Sequence, residues 1–147
     1  MTSMTGLDVF DTTVHKTNSW LKEIMDELGI DNRHQAYQAL RGTSQTLRDR
    51  LPVEEATHLD AQLPMLISGI YYESWEPTDK PEKIRSKEES LERVGEAFGW
   101  QSNIDSERAA CAVSNVLARR VSEGEIQDVT GILPQELRSL WPGEVRR

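Results

Sequence analysis

The chain has 147 residues, of which 37% are hydrophobic and 29% charged, and this balance is typical of one soluble globular domain. A formal net charge of -8 disfavours nucleic-acid binding, because proteins that bind phosphates usually carry an excess of Lys and Arg. No stretch is long and apolar enough to predict a membrane span, and residues 1–11 lack the pattern of a signal peptide. With one cysteine, Cys111, the sequence predicts a cytoplasmic protein in a reducing compartment.

Helical periodicity begins near residue 7. Apolar side chains then recur at three- and four-residue steps, which predicts one buried stripe. The stripe consists of Leu7, Phe10, Val14, Leu21, Ile24, Met25 and Leu28. Asp8 is a candidate N-cap, and Gly29 is a candidate helix end because glycine adopts the left-handed conformation without penalty. A second helix is predicted to begin at Asp31 or Asn32 and to end near Leu51.

Two prolines divide the segment that follows. Pro52 suits the first turn of a third helix, and Pro64 cannot continue that helix without a kink. We therefore expect a break near Pro64 and a fourth, short helix that ends at about Tyr72. The third helix is expected to bury Val53, Ala56, Leu59 and Leu63. The fourth is expected to bury Leu66, Ile67 and Ile70.

An internal duplication is predicted from a copy of residues 21–72 that recurs, without any gap, 70 positions later. The identical pairs are Leu21/Leu91, Gly29/Gly99, Ala39/Ala109, Ser44/Ser114, Leu47/Leu117, Arg50/Arg120, Glu55/Glu125, Leu63/Leu133 and Pro64/Pro134. Repeat one spans about residues 6–75, a connector about 76–85 and repeat two about 86–142. We expect an all-α, single compact helical domain built from two tandem three-helix units, each with its third helix broken by proline, related by a pseudo-two-fold axis.

The duplicated Arg and Glu residues flank the turn between the second and third helices of each repeat. One interpretation is a clamp, in which Arg50 pairs with Glu55, and Arg120 with Glu125, or the arginines bind terminal carbonyls. The other interpretation is separate charges that suit the helix dipoles. The second repeat is predicted to begin with a capping box at Ser86, whose hydroxyl would accept a backbone N–H three residues on.

No catalytic, cofactor or metal site is predicted. The chain has three histidines, His15, His34 and His58, but it lacks a zinc triad and a pair of Glu-x-x-His motifs on facing helices. Phosphate-binding loops and nucleophile elbows are also missing from the sequence. Cys111 lies on an apolar helix face, where a buried inert thiol is expected. Enzymatic activity is left open, and the sequence favours a non-enzymatic protein.

Aromatic residues near the connector mark the candidate interaction face. Tyr71 matches Trp141 across the repeats, which favours packing over binding. Residues particular to the first copy are better candidates, because the shared ones are explained as scaffold. The predicted face consists of His58, Gln62, Tyr72 and Trp75.

Five segments carry a family resemblance: residues 4–13 (MTGLDVFDTT), 51–56 (LPVEEA), 61–67 (AQLPMLI), 71–75 (YYESW) and 133–142 (LPQELRSLWP). The chain resembles the helical proteins grouped as domain of unknown function 2267, with Ser74 standing where that family's motif is expected to have glycine. The resemblance implies an all-helical fold and a small stand-alone bacterial protein. It implies no activity, cofactor or catalytic residue.

Two functions from different classes are therefore considered. The leading hypothesis is a non-enzymatic, cytoplasmic helical module that binds another protein or itself, in a regulatory or interaction role. The alternative is a small-molecule-binding protein or uncharacterised enzyme with a pocket between the two repeats. Neither hypothesis includes a nucleic acid or a membrane as partner.

Overall fold

The computed structural model describes residues 4–99 and 102–143, and all regular structure within these ranges is helical. The described helices are α1 (Asp8–Leu28), α2 (Arg33–Arg50), α3 (Val53–Asp60), α4 (Met65–Tyr72), α5 (Lys87–Glu96), α6 (Ser106–Arg120), α7 (Glu123–Ile132) and α8 (Gln135–Arg138). The predicted all-α class is confirmed. Not one of these described helices combines the length and the apolar character that crossing a membrane requires.

Local signals in the sequence define most helix ends. Gly29 ends α1 with φ of 66°, a left-handed conformation that glycine adopts without strain. Asn32 caps α2 by accepting the Gln35 N–H at 3.0 Å, as predicted. The N-cap of α1 is Leu7 rather than Asp8, which lies inside the first turn where its charge suits the helix dipole.

The prolines act as the sequence predicts. Pro64 and Pro134 each precede a short helix, and their φ and ψ angles are nearly identical, -58° and 153° against -57° and 153°. Pro52 stands immediately before α3 in the same way. Both predicted helix breaks are therefore confirmed, because proline lacks the N–H that a continuous helix would use.

Helices α2 and α6 pack against each other at the centre of the molecule. Helices α1 and α5 both pack on this central pair, and α4 and α8 lie against α1 and α5 respectively. The short helices α3 and α7 pack against each other. An internal two-fold axis would produce these pairings, but α4 also packs on α2 without a comparable contact between α8 and α6, and the superposition of the two repeats stays a prediction.

A single hydrophobic core receives side chains from all eight described helices. Tyr71 and Trp141, which match across the repeats, are 1% and 3% exposed, so both pack inside as expected. The Tyr71 hydroxyl donates to the Ala56 carbonyl at 2.9 Å, which satisfies the one polar atom of this buried ring. Cys111 is only partly buried.

Four side chains expected in the core are exposed instead. The exposed fractions are 49% for Leu7, 48% for Phe10, 37% for Val53 and 43% for Leu66. Helix α1 has 21 residues, whereas α4, which packs on it, has 8. The Leu66 N–H donates to Thr13 Oγ1 at 3.0 Å, so α4 meets α1 beyond its first turn. The first turn of α1 therefore lies beyond α4, so α4 does not cover the apolar stripe there.

The connector between the two halves is fixed to α2. The Ile84 side chain is 1% exposed, and its carbonyl accepts from Arg50 Nε at 2.9 Å. Arg120 contacts α1 instead, with Nε donating to Glu23 at 2.7 Å and the guanidinium over the Trp20 ring. The predicted Arg/Glu clamp is wrong, because each arginine extends away from its turn to another element.

A cluster of charges anchors the connector further. Glu82 lies between Arg93 and Lys80, and Asp49 lies 3.6 Å from Lys80 and 3.7 Å from Arg93. The Arg93 guanidinium, helped by Lys80, lowers the pKa of Glu82 from its ordinary 4.5 to about 2. The folded state therefore holds this carboxylate ionised over a wide acidic range.

We expect this cluster to make folding sensitive to acid. Because the folded pKa lies below the unfolded one, the stabilisation is complete above about pH 4.5 and is lost as the pH falls towards 2. Its contribution at neutral pH is at most about 3 kcal/mol. Urea unfolding at several pH values should show Glu82→Gln less stable than wild type at pH 7, with the gap closing near pH 2.5. Glu88→Gln, which changes an exposed acid, should show no such gap.

Candidate functional site

Two glutamates meet where α3 and α7 pack together. Glu55 and Glu125 each occupy the third position of their helix, and both side chains are largely shielded from solvent. Glu125 as a residue is 8% exposed. The Oε2 atom of each carboxyl group is buried and has no hydrogen-bond partner. Two acidic groups therefore lie close together in a region with little water.

The pairing of the helices explains why these two residues meet. Helices α3 and α7 are in contact, and their packing brings the third residue of one helix close to the third residue of the other. Ser122 caps α7 and accepts the Glu125 N–H at 3.3 Å. A carboxylate in the first turn is favoured by the partial positive charge of a helix N-terminus.

His58 completes the cluster from the next turn of α3. Its Nδ1 atom lies 3.9 Å from Glu55 Oε2, and its side chain is 66% exposed. One potential ligand atom each from Glu55, His58 and Glu125 can be chosen so that all three lie within 4.8 Å of one another. The cluster therefore opens to solvent on the histidine side and is buried on the side of Glu125.

The electrostatics of the cluster are unfavourable for two free carboxylates. Burial, followed by the facing Glu55 carboxyl and then Asp128, raises the pKa of Glu125 well above its usual range. Two carboxyl groups this close either share one proton, so that only one of them is ionised, or both stay ionised with a cation between them. Chemically, the cluster can hold a shared proton or bind a positive ion.

Comparison with known proteins bears on both halves of the chain. A family model described as an uncharacterized conserved protein (DUF2267) matches residues 17–140. The chain belongs to the DUF2267 family. This confirms the resemblance that the sequence motifs indicate, and the matched range contains both α3 and α7. No curated protein matches the chain.

A second candidate site in this DUF2267 protein is an exposed apolar surface at the beginning of α1 and α4. We call it the α1–α4 patch, and it consists of Leu7, Val9, Phe10, Met65 and Leu66. These side chains are 43% to 56% exposed. The hydrogen bond between Leu66 N–H and Thr13 Oγ1 brings the start of α4 next to α1.

The sequence-predicted interaction face divides into two pairs in the DUF2267 structure. Tyr72 and Trp75 stack with ring centres 5.0 Å apart and are partly buried. Gln62 holds the α7 N-terminus, because its amide donates to Ser122 Oγ at 2.9 Å and accepts the Ser122 N–H at 2.7 Å. His58 lies beside Glu55. These contacts give Gln62, Tyr72 and Trp75 roles inside the fold, and their use by a partner stays a prediction.

Cavities within the described ranges differ in size and chemistry. The cavity between α2, α5, α6 and α8 has a volume of about 40 Å³ and is mostly apolar, with Thr43, Arg50 and Ser90 among its lining residues. It has room for only a few water molecules. A polar groove of about 300 Å³ between α2 and α5 is lined by Arg41, Arg48 and Arg93 with two acids.

Sequence reasoning did not group Glu55, His58 and Glu125. It required two Glu-x-x-His motifs and passed over the single one, Glu55-Ala-Thr-His58, whose counterpart in the second half is Glu125-Ile-Gln-Asp128. The recurring glutamate was assigned to a turn clamp with arginine. The contact between α3 and α7 was the missing fact, and only the packing supplies it.

Proposed function

We propose that this protein is a non-enzymatic helical module that binds a protein partner through the α1–α4 patch. The observation that carries the proposal is the exposure of five large apolar side chains at the start of two adjacent helices. Single exposed apolar side chains are normal on soluble proteins, whereas several exposed together on adjacent helices favour an interaction site. The proposal places the protein in the cytoplasm, in line with its single cysteine.

Charge favours a partner of a particular chemistry. Asp8 and Asp11 lie in the first turn of α1 beside the patch, and the chain carries a net charge of -8. A second copy of the chain would bring the same negative charge, which opposes self-association. We therefore propose a different protein that offers an apolar helix or strand flanked by Lys and Arg, since complementary charges steer association.

The alternative of a small-molecule pocket between the two repeats has weaker support. Ligand pockets usually measure about 300 to 1,000 Å³. The groove of about 300 Å³ between α2 and α5 also lies between the halves, but its lining is polar and mostly charged, whereas ligand pockets are mostly apolar. The apolar cavity between the halves holds only about 40 Å³. A compound of metabolite size would have to separate the central helices in order to enter it.

A photo-crosslinking residue in place of Phe10 tests the proposal. The variant is expressed in the source cells, irradiated, and the cross-linked protein is identified by mass spectrometry and purified. We expect the purified partner to bind wild type with an affinity that falls as salt rises, because charge contributes to the contact. Leu66→Asp should weaken binding at least tenfold, about 1.4 kcal/mol, since a carboxylate would enter the apolar contact.

Ile132 provides the matched control. It is exposed to 37% on α7, so a cross-linker there should not capture the same protein, and Ile132→Asp should leave the affinity unchanged. Thermal unfolding of each variant checks that the fold is retained. Cross-linking to a second copy of the chain, equal capture from position 132, or an affinity unaffected by Leu66→Asp would each contradict the proposal.

A further inference from the structure

The facing glutamates of α3 and α7 include buried carboxyl oxygens that lack a hydrogen-bond partner. Glu125 is more than nine-tenths buried, and its Oε2 atom has no hydrogen-bond partner although it is directed towards the carboxyl group of Glu55. Buried polar atoms are almost always paired, because leaving one unpaired costs about 1 to 3 kcal/mol. The Glu125 carboxyl group therefore requires either a proton shared with Glu55 or a bound cation as its ligand.

The neighbouring groups indicate what that ligand is. Glu55 adds a second carboxylate, also with an unpartnered Oε2, and His58 adds an imidazole nitrogen from the next helical turn. An amine or a guanidinium group would be bound by hydrogen-bond acceptors alone. Two carboxylates together with an imidazole nitrogen are instead a set of ligands that transition-metal ions prefer. Pairs of carboxylates with histidine at Glu-x-x-His spacing are used by metal sites on helices.

We propose that Glu55, His58 and Glu125 form a binding site for one divalent transition-metal ion of the Zn²⁺ or Mn²⁺ class. The ion would neutralise both carboxylates and join α3 to α7, which are the third helices of the two halves of the chain. Three protein ligands leave at least one coordination position open to water on the exposed side of His58.

The geometry requires only a small adjustment. Ligand atoms about 2.0 to 2.2 Å from a zinc ion lie roughly 3 to 3.6 Å from one another. The three ligand atoms already lie within 4.8 Å of one another. His58 is 66% exposed, so its ring can turn towards the carboxylates without displacing core residues.

Titration of the metal-free, untagged full chain with ZnCl₂ and, separately, MnCl₂ tests this site by calorimetry. We expect one ion per chain with a dissociation constant below about 10 μM for at least one of the two ions. Glu55→Gln, Glu125→Gln and His58→Ala should each weaken binding at least thirtyfold. Glu54→Gln and His34→Ala should bind as wild type does, because both residues are exposed and lie outside the cluster.

Glu125→Gln also separates metal binding from folding. Removing one of two buried acids relieves their repulsion, so the metal-free variant should unfold at the same temperature as wild type or higher, although it no longer binds the ion. Co²⁺ provides a spectroscopic readout: visible bands of the wild-type complex should be lost in His58→Ala. If Glu125→Gln binds Zn²⁺ and Mn²⁺ as tightly as wild type, or if neither ion binds wild type at one per chain, the site is a shared-proton pair and the proposal is overturned.

Discussion

Replacing Arg48 with alanine is expected to lower the free energy of unfolding by about 3 to 5 kcal/mol. Arg48 is 5% exposed, and its Nη1 donates to the carbonyls of Tyr71 at 2.9 Å and Glu73 at 2.8 Å. Its Nε donates to Asp49 at 2.8 Å. The alanine variant would leave two carbonyls at the end of α4 without this donor and would weaken the neutralisation of a buried carboxylate.

Arg41 provides the matched control on the same helix. It also contacts residue 73, but through an ion pair with the Glu73 carboxylate in which both side chains are more than one-third exposed. Exposed pairs contribute about 0 to 1 kcal/mol, so Arg41→Ala should have a small effect. Urea unfolding measures both variants. Equal losses in the free energy of unfolding for Arg41→Ala and Arg48→Ala would show that the buried contacts of Arg48 do not stabilise the fold more than an exposed ion pair does.

Replacing Gly42 with valine is expected to cost about 3 kcal/mol of stability, because α2 and α5 approach each other too closely there. A Cβ atom at Gly42 would lie 2.7 Å from the Val94 carbonyl oxygen and 2.9 Å from the Ala97 Cβ. Backbone is involved, so a side-chain rotation cannot relieve the contact. The helices would have to separate, which would enlarge the small cavity behind them.

Gly69 provides the matched control for the Gly42 substitution. It also lies within a helix, α4, but a Cβ atom there would meet nothing within 4 Å. Gly69→Val should therefore change the free energy of unfolding by no more than about 0.5 kcal/mol, as surface substitutions usually do. Thermal and urea unfolding of both variants give the two values. A Gly42→Val protein as stable as Gly69→Val would contradict close packing of α2 on α5.

The two proposed sites can be tested separately, because they lie on different helices. The α1–α4 patch is formed by the first turns of α1 and α4, whereas the metal ligands lie on α3 and α7. Leu66→Asp should leave the metal titration unchanged, and Glu125→Gln should leave cross-linking at position 10 unchanged. Failure of either proposal would therefore leave the other one standing.

Local chemistry made most helix ends predictable. Proline at positions 52, 64 and 134, glycine at 29 and asparagine at 32 each restrict the backbone or supply a cap within a few residues. Ser86 also caps α5, with its hydroxyl accepting the Glu89 N–H at 3.1 Å. Even the family's expected glycine at position 74 has a structural reason, because Ser74 adopts φ of 62° there.

The candidate sites were harder to predict, because each depends on what packs against a residue rather than on the residue itself. Periodicity placed Phe10 on the apolar face of α1 but could not show that α4 is too short to cover it. Arg48 is buried because the Tyr71 carbonyl at the end of α4 and the Asp49 carboxylate accept its hydrogen bonds, and nothing in its local sequence indicates these contacts. Charge and hydropathy patterns do not contain this information.

The sequence by itself determined the all-helical class, the places where the chain breaks and the repeated glutamate. Helix propensity, capping and proline act over a few residues, so a single chain segment contains what they need. Only the tertiary structure decided that Glu55 faces Glu125, since these residues are 70 positions apart and meet through the packing of α3 on α7. Long-range contacts of this kind follow from how apolar faces are buried together, which fixes the neighbours of a charge independently of its local sequence.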